Sequence, residues 1–130
     1  MTGALIPELY VEEIGRSLRF YGELGFVVLY QRPAERFAML EREGAQIMLE
    51  EPIGRTFLAH PLSHPRGSGV SFQITATDVE RLWTTIPKDT RIVLPLERRA
   101  YQRRHDVLEV RQFVVPDPDG YVLRFSETIG

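Results

Sequence analysis

Alternating and helical patterns of apolar positions predict a strand, a helix and three strands in the first part of the chain. Leu5 to Val11 alternates as a strand does, and Ile14, Leu18 and Tyr21 then recur at helical spacing. The helix is expected from about Glu12 to Leu24. Three strand patterns follow, at 26–31, 36–42 and 45–50. Pro7 lacks a backbone donor, so the first strand is predicted to lie at a sheet edge or to begin beside an irregularity.

The same order of elements returns in the second part of the chain. Gly69 to Thr75 is predicted as a strand, and Thr77-Asp78-Val79-Glu80 is typical of a capping box that begins a helix. That helix is expected to end at Pro87. Three further strands are predicted at 91–96, 108–115 and 121–126.

Two observations indicate an internal duplication. The order strand, helix and three strands occurs twice, and Glu13-Ile14-Gly15-Arg16 matches Asp78-Val79-Glu80-Arg81 where the two helices begin. We therefore predict one domain, 1–130, made of two units at about 1–52 and 68–130. The segment between them, 53–67, is rich in proline and glycine and is predicted to be a linker.

Composition narrows the class of protein. The chain has 130 residues, of which 43% are hydrophobic and 26% charged, which is ordinary for a globular domain. It contains no cysteine, which excludes disulfides and thiolate chemistry. The net charge of −2 does not favour a nucleic-acid partner. There is no signal-peptide pattern or membrane-length apolar run, so we expect no membrane association and a cytoplasmic location.

Three segments resemble the vicinal-oxygen-chelate superfamily of glyoxalases, ring-cleaving dioxygenases and bleomycin-resistance proteins. They are the opening Pro7-Glu8-Leu9-Tyr10-Val11 with Ser17-Leu18-Arg19-Phe20-Tyr21, the strands from Phe37 to Glu50, and the Asp117-Pro118-Asp119-Gly120 turn. The chain is most similar to the bleomycin-resistance-like branch. The resemblance implies an α+β fold of two βαβββ units (the glyoxalase/bleomycin resistance fold), with curved mixed sheets around a shared cavity.

The resemblance also implies where a metal would bind. The four positions that hold metal ligands in metal-dependent relatives correspond here to Ile6, Met48, Ser71 and Arg124. None is a usual ligand, and the permanent charge of arginine repels a cation. His60, His64 and His105 are all predicted in loops, so we expect no metal and no cofactor.

A polar wall is expected in the cavity, on the side of the strands that carries the former metal positions. Phe113 and Tyr101 are expected to supply aromatic contacts. The predicted ligand-binding residues are Glu8, Glu50, Ser71, Gln73, Tyr101, Phe113 and Arg124, with Ser126 on the same side. An equally weighted alternative is an ion pair of Arg124 with Glu8 or Glu50 that joins the units. Phe113 is alternatively a core residue, as is expected of Trp83.

A basic run from Arg98 to Arg104 is predicted to be a solvated loop. Its functional alternative is closure over an anionic group of a ligand, with Tyr101 stacking on that ligand.

The sequence shows no nucleophile motif, so no catalytic residue is predicted. The resemblance implies a metal-free homodimer that sequesters a small organic molecule. Bleomycin itself is a cation, and the arginine run does not favour it. The alternatives are a metal-dependent lyase or dioxygenase of the same superfamily, and an interaction module that only dimerises.

Overall fold

The computed structural model describes residues 2–130 and shows two four-stranded mixed sheets. The first unit begins with β1, Glu8–Tyr10, and the ten-residue helix α1, Ile14–Glu23. Three strands follow, with a short 3-10 helix, Pro33–Glu35, after the first: β2 Val27–Arg32, β3 Phe37–Arg42 and β4 Ala45–Glu50. They pair in the order β1-β4-β3-β2. As Pro7 predicts, β1 is an edge strand, but it is shorter than expected.

The second unit repeats this topology. Its strand order is β5-β8-β7-β6, and β5 pairs with β8 in parallel just as β1 pairs with β4. The elements are β5 Ser71–Thr75, α2 Val79–Trp83, β6 Leu94–Gln102, β7 Val107–Pro116 and β8 Val122–Thr128. The predicted fold class, α+β with two βαβββ units, is confirmed. No helix in the described part of the chain is long and apolar enough to cross a membrane.

Matching hydrogen bonds align the two units residue by residue. The N–H of Val11 donates to the carbonyl of Glu50 over 2.9 Å, and the N–H of Ala76 donates to that of Ser126 over 2.9 Å. Counting back along each strand makes Tyr10 equivalent to Thr75 and places Met48 at the position of Arg124.

The helix starts are also equivalent. A carboxylate just after or within the last strand of each unit accepts the first helical N–H: Glu51 from Ile14 over 2.9 Å, and Glu127 from Val79 over 3.1 Å. These bonds satisfy donors that every helix start leaves unpaired. They fall on the two residues, Ile14 and Val79, that the sequence match aligned.

One hydrophobic core joins both units. Alternate strand residues point towards the helices into this core, and we call that side of each sheet the core face and the other side the outer face. Phe113 is fully buried there, between Trp83 and Phe125 at ring-centroid distances of 5.3 and 5.2 Å. The core also contains Leu9, Val11, Phe20, Tyr21, Leu40, Leu49, Ile74, Val79, Leu82 and Leu123.

The turn after β7 links the units through polar bonds. Asp119, 1% exposed at its side chain, accepts the N–H of Glu12 over 2.9 Å and lies 3.5 and 3.6 Å from the guanidiniums of Arg16 and Arg66. The turn needs its glycine: Gly120 has a φ of +99°, and a Cβ there would lie 2.6 Å from Pro65. The second unit thus holds the start of α1.

The prediction of a solvated loop for the basic run is wrong over most of its length. Arg98 to Gln102 belong to β6, which runs beyond the predicted end at Leu96 and pairs with β7 as far as Val107. Because β6 is an edge strand, its charged side chains reach solvent without leaving the sheet. His105 lies in the following turn, and His60 and His64 lie in the segment between the units, all outside helices and strands as predicted.

The second helix is shorter than predicted. It ends at Trp83 rather than at Pro87, and Asp78 rather than Thr77 supplies the capping oxygen, accepting the N–H of Arg81 over 3.3 Å. The hydroxyls of Thr84 and Thr85 bond back to backbone carbonyls one turn earlier. Such bonds compete with the helical pattern, which explains the early end.

Candidate functional site

A cavity of about 190 Å³ opens on the outer face of the second sheet. Strands β5, β6, β7 and β8 all contribute to its wall, and none of the described residues of the first unit, from residue 2 onwards, does. The lining residues are Gln73, Thr75, Tyr101, Leu108, Val110, Gln112, Arg124, Ser126 and Thr128. The resemblance implied a cavity shared by both sheets, whereas this one is built by the second sheet alone.

Arg124 is the one cation among the residues that line this cavity. Its Nη2 donates a hydrogen bond to the side-chain oxygen of Gln73, and its Nε is buried without a hydrogen-bond partner. It forms no ion pair within residues 2–130. The alternative of an ion pair with Glu8 or Glu50 is therefore wrong, and the charge of Arg124 is uncompensated by a carboxylate.

Gln112 lies at the centre of the cavity wall and is only 2% exposed. Its Nε2 donates to a carboxylate oxygen of Glu97 over 2.8 Å and to the hydroxyl of Tyr101 over 2.6 Å. Because a carboxylate can only accept, Glu97 fixes which end of the amide is nitrogen. The other end, Oε1, is buried and has no hydrogen-bond partner among residues 2–130.

Small side chains leave the space in which the cavity lies. Thr75 and Ser126 pair across β5 and β8, where the first unit pairs Tyr10 with Glu50 across β1 and β4. The backbone frame is the same, so the difference in side-chain volume decides which outer face has room for a molecule.

The outer face of the first sheet carries the two predicted carboxylates, Glu8 and Glu50. Neither lines the cavity. The hydroxyl of Tyr10 donates to Glu8 over 3.0 Å and accepts the N–H of Phe57 over 2.9 Å. Burial, followed by the nearby charge of Glu8, raises the pKa of Glu50. These side chains thus form a separate, acidic group on the first sheet.

The structure brings three of the seven predicted ligand-binding residues together. Gln73, Tyr101 and Arg124 line the cavity, and so does Ser126. Ser71 begins the same strand as Gln73 but does not line the cavity. Phe113 belongs to the core, which was its stated alternative.

Sequence reasoning missed Gln112, the most buried polar residue of the wall. The signal was present in the Asp-Pro-Asp-Gly turn, which fixes the register of β7 against β8. Counting outwards from the turn pairs Pro116 with Val122, Val114 with Arg124 and Gln112 with Ser126. Arg124 and Gln112 therefore share a face, and Phe113 must point to the other one.

Residues 2–130 contain no group of three or more histidine, cysteine, aspartate or glutamate side chains placed to hold a metal ion. At the four positions implied by the resemblance, the structure shows no such cluster, and a guanidinium at Arg124 does not fit a divalent cation.

A larger cavity, of about 570 Å³, lies between the units. Residues of α1 line one side, including Arg16 and Phe20, and residues of the second unit line the other, including Arg91 and Pro116. It contains none of the predicted ligand-binding residues.

Comparison with known proteins identifies the family. The sequence pattern of the Glyoxalase/Bleomycin resistance protein/Dioxygenase superfamily matches residues 5–125. The chain belongs to this superfamily. No curated protein matches the chain in sequence.

Solved structures share the superfamily fold with this chain. TioX from Micromonospora sp. ML1 is 20% identical, with a TM-score of 0.71, and the match covers 98% of this chain and 100% of that one. A protein of unknown function from Agrobacterium tumefaciens str. C58 is 24% identical, with a TM-score of 0.70 and coverages of 99% and 98%. A superfamily member from Alicyclobacillus acidocaldarius is 18% identical, with a TM-score of 0.66 and coverages of 98% and 92%. At these identities the likeness concerns the fold alone.

Proposed function

We propose that this superfamily member is a metal-free protein that binds and sequesters a small organic molecule in the cavity of the second sheet. The observation that carries the proposal is Arg124. It stands at a position of the last strand where metal-dependent relatives hold a metal ligand, it lines a cavity, and no carboxylate within residues 2–130 neutralises it. A cation at this point attracts a ligand group rather than a metal.

The size and charge of the cavity argue for a small metabolite and against bleomycin. Drug-sized ligands occupy pockets of about 300–1,000 Å³, whereas this cavity measures about 190 Å³. A cationic drug would also meet Arg124. A cytoplasmic location is part of the proposal, and cell fractionation tests it.

Metal analysis separates this proposal from a metal-dependent lyase or dioxygenase. The protein is purified without chelators and its content of iron, nickel, zinc and manganese is measured. We expect less than stoichiometric metal, and thermal unfolding that does not respond to added metals. One bound metal ion per chain would contradict the proposal.

A thermal-shift screen of small organic molecules tests binding directly. A ligand at about 100 times its dissociation constant should stabilise the fold by about 2.7 kcal/mol. The matched variant is Ser126→Phe, which fills the cavity from β8 and should abolish the shift. If no compound shifts the wild-type protein, the chain is an interaction module rather than a binding protein.

A homodimer is the second part of the proposal. Strand β2 lies at the edge of the first sheet, and its apolar residues Val27, Val28, Leu29 and Tyr30 are 44–58% exposed. An apolar edge of this kind favours association. Light scattering coupled to size exclusion should give twice the 15.0 kDa chain mass, and Leu29→Glu should shift the protein towards monomer whereas Gln31→Glu should not.

A further inference from the structure

From the two unpartnered polar atoms of the cavity, we infer that the ligand is a small carboxylate that also carries a hydrogen-bond donor, such as a hydroxyl, at its opposite end. This inference rests on the proposed function and names the ligand class of the same cavity. Arg124 would hold the carboxylate, and Gln112 would accept from the donor.

The anionic end follows from Arg124. Among residues 2–130, its buried Nε has no hydrogen-bond partner, and its Nη2 is bonded only to the uncharged amide of Gln73. A buried donor without an acceptor costs about 1–3 kcal/mol, and more for a charged group. A planar carboxylate matches the guanidinium fork with two parallel bonds. Because Arg124 is the one cation of the lining, a singly charged group balances it.

The donor end follows from Gln112. The Nε2 of Gln112 donates to both Glu97 and Tyr101. The buried Oε1 has no partner among residues 2–130. Because it is a carbonyl oxygen, it can only accept. A ligand hydroxyl or amine N–H would supply the missing bond. A ligand without such a donor would keep this oxygen desolvated, at a cost of about 1–3 kcal/mol.

The sheet register sets the distance between the backbones of Arg124 and Gln112. Gln112 pairs with Ser126, and Arg124 pairs with Val114, so Arg124 and Gln112 are diagonal neighbours on one face. Diagonal neighbours in an antiparallel pair are about 7–8 Å apart. The two side chains therefore start close enough together for one small, single-ring molecule to contact both.

Part of the remaining wall is apolar and suits the ring of such a ligand. Leu108 and Val110 line the cavity, and so does the ring of Tyr101, with the guanidinium of Arg99 5.9 Å from the ring centroid. The carboxylate of Glu97, which would repel an anion, lies beyond the amide of Gln112 and does not line the cavity. A single-ring hydroxy acid therefore offers a partner to both buried atoms, the Nε of Arg124 and the Oε1 of Gln112.

Three matched compounds test the inference by isothermal titration calorimetry. The probe is 4-hydroxybenzoate, compared with benzoate, which lacks the donor, and 4-hydroxybenzamide, which lacks the charge. We expect the probe to bind about 10- to 100-fold more tightly than the amide and about 10-fold more tightly than benzoate, since each tenfold step corresponds to about 1.4 kcal/mol.

Variants then assign each preference to its residue. Arg124→Gln should remove the preference for the acid over the amide, and Gln112→Met should remove the preference for the probe over benzoate. Arg104→Gln, an exposed arginine in the turn after β6, is the control and should change neither. Thermal unfolding checks that each variant is folded.

Two outcomes would overturn the inference. Equal binding of all three compounds, unchanged in Arg124→Gln, would show that the cavity does not distinguish charged from neutral ligands. The proposed binding function would still stand. No binding of 4-hydroxybenzoate at millimolar concentration would reject this ligand class. In that case the compound screen decides the proposed function separately, because it includes neutral and cationic molecules.

Discussion

The outer faces of the two sheets show how one backbone frame supports different chemistry. In the first unit, Tyr10 and Glu50 occupy a pair of positions that Thr75 and Ser126 occupy in the second. The first pair is bulkier and includes a carboxylate, whereas the second pair lines a cavity. The core faces differ much less, since both are apolar and meet in one core. The two units therefore differ most on the faces that the shared core does not constrain.

The largest expected loss of stability comes from substitutions on the core faces, since both units contribute to one core. Phe113→Ala should lower the free energy of unfolding by about 3–5 kcal/mol and Leu40→Ala by about 2–5 kcal/mol, because both side chains are buried and leave cavities. Urea unfolding followed by tryptophan fluorescence and circular dichroism measures both. Two separate transitions, one for each unit, would break the view of a single shared core.

A smaller loss of stability is expected when the polar link from Asp119 of the second unit to the start of α1 is removed. Asp119→Ala should cost about 3 kcal/mol, because it leaves the N–H of Glu12 and the guanidiniums of Arg16 and Arg66 without their buried carboxylate. Asp119→Asn keeps an acceptor and should cost less. Equal losses in the two variants would mean that the charge is irrelevant. Chemical denaturation gives both values.

Introducing the first-unit side chain of Tyr10 at the equivalent position of the second unit, Thr75, tests whether side-chain volume accounts for the cavity. Thr75→Tyr should fill the cavity and remove the stabilisation by compounds found in the screen, about 2.7 kcal/mol at 100 times the dissociation constant. Thr2→Tyr, at an exposed position, is the matched control. A thermal shift retained in Thr75→Tyr would place the ligand elsewhere.

The smallest effect concerns the reverse link, from the first unit to the second. Glu43 accepts the N–H and hydroxyl of Thr77 over 3.0 and 2.5 Å, and these bonds lower the pKa of Glu43. A lowered carboxyl pKa stabilises the fold above the unfolded value of about 4.3, and this stabilisation is lost as pH falls through the folded value.

Glu43→Gln should therefore be less stable than wild type at pH 7, by less than about 1 kcal/mol because Glu43 is 40% exposed. The difference should shrink at pH values below about 4.3. Unfolding curves at a series of pH values check this. A difference that does not change with pH would show that the carboxylate charge plays no part.

Local patterns in the sequence were enough to predict the duplicated topology. Strand β4 has its predicted bounds, and α1, Ile14–Glu23, lies within its predicted range. The errors arose where long-range pairing overrides local preference. The arginines after Leu96 look like a loop by composition, yet pairing with β7 makes them strand residues.

The candidate site was harder to predict because its members come from four strands. Strand alternation correctly put Gln73, Arg124 and Ser126 on one face. Tyr101 was proposed because it lies in the basic run. For Phe113 the sequence left two alternatives open, a ligand contact or a core residue. Gln112 was missed because its role depends on a register that the turn fixes across two strands. Composition carries no signal for that register.

One carboxylate in each unit, Glu51 or Glu127, attaches the start of the helix to the sheet of the same unit. This attachment affects which substitutions the fold can tolerate. Each anchors its helix immediately beyond the outer-face position that has diverged, Glu50 in one unit and Ser126 in the other. Substitutions on that face leave both anchors in place, so we expect the scaffold to stay in register. A combinatorial library over Gln73, Thr75, Arg124 and Ser126 would exploit this tolerance to graft new recognition onto the domain.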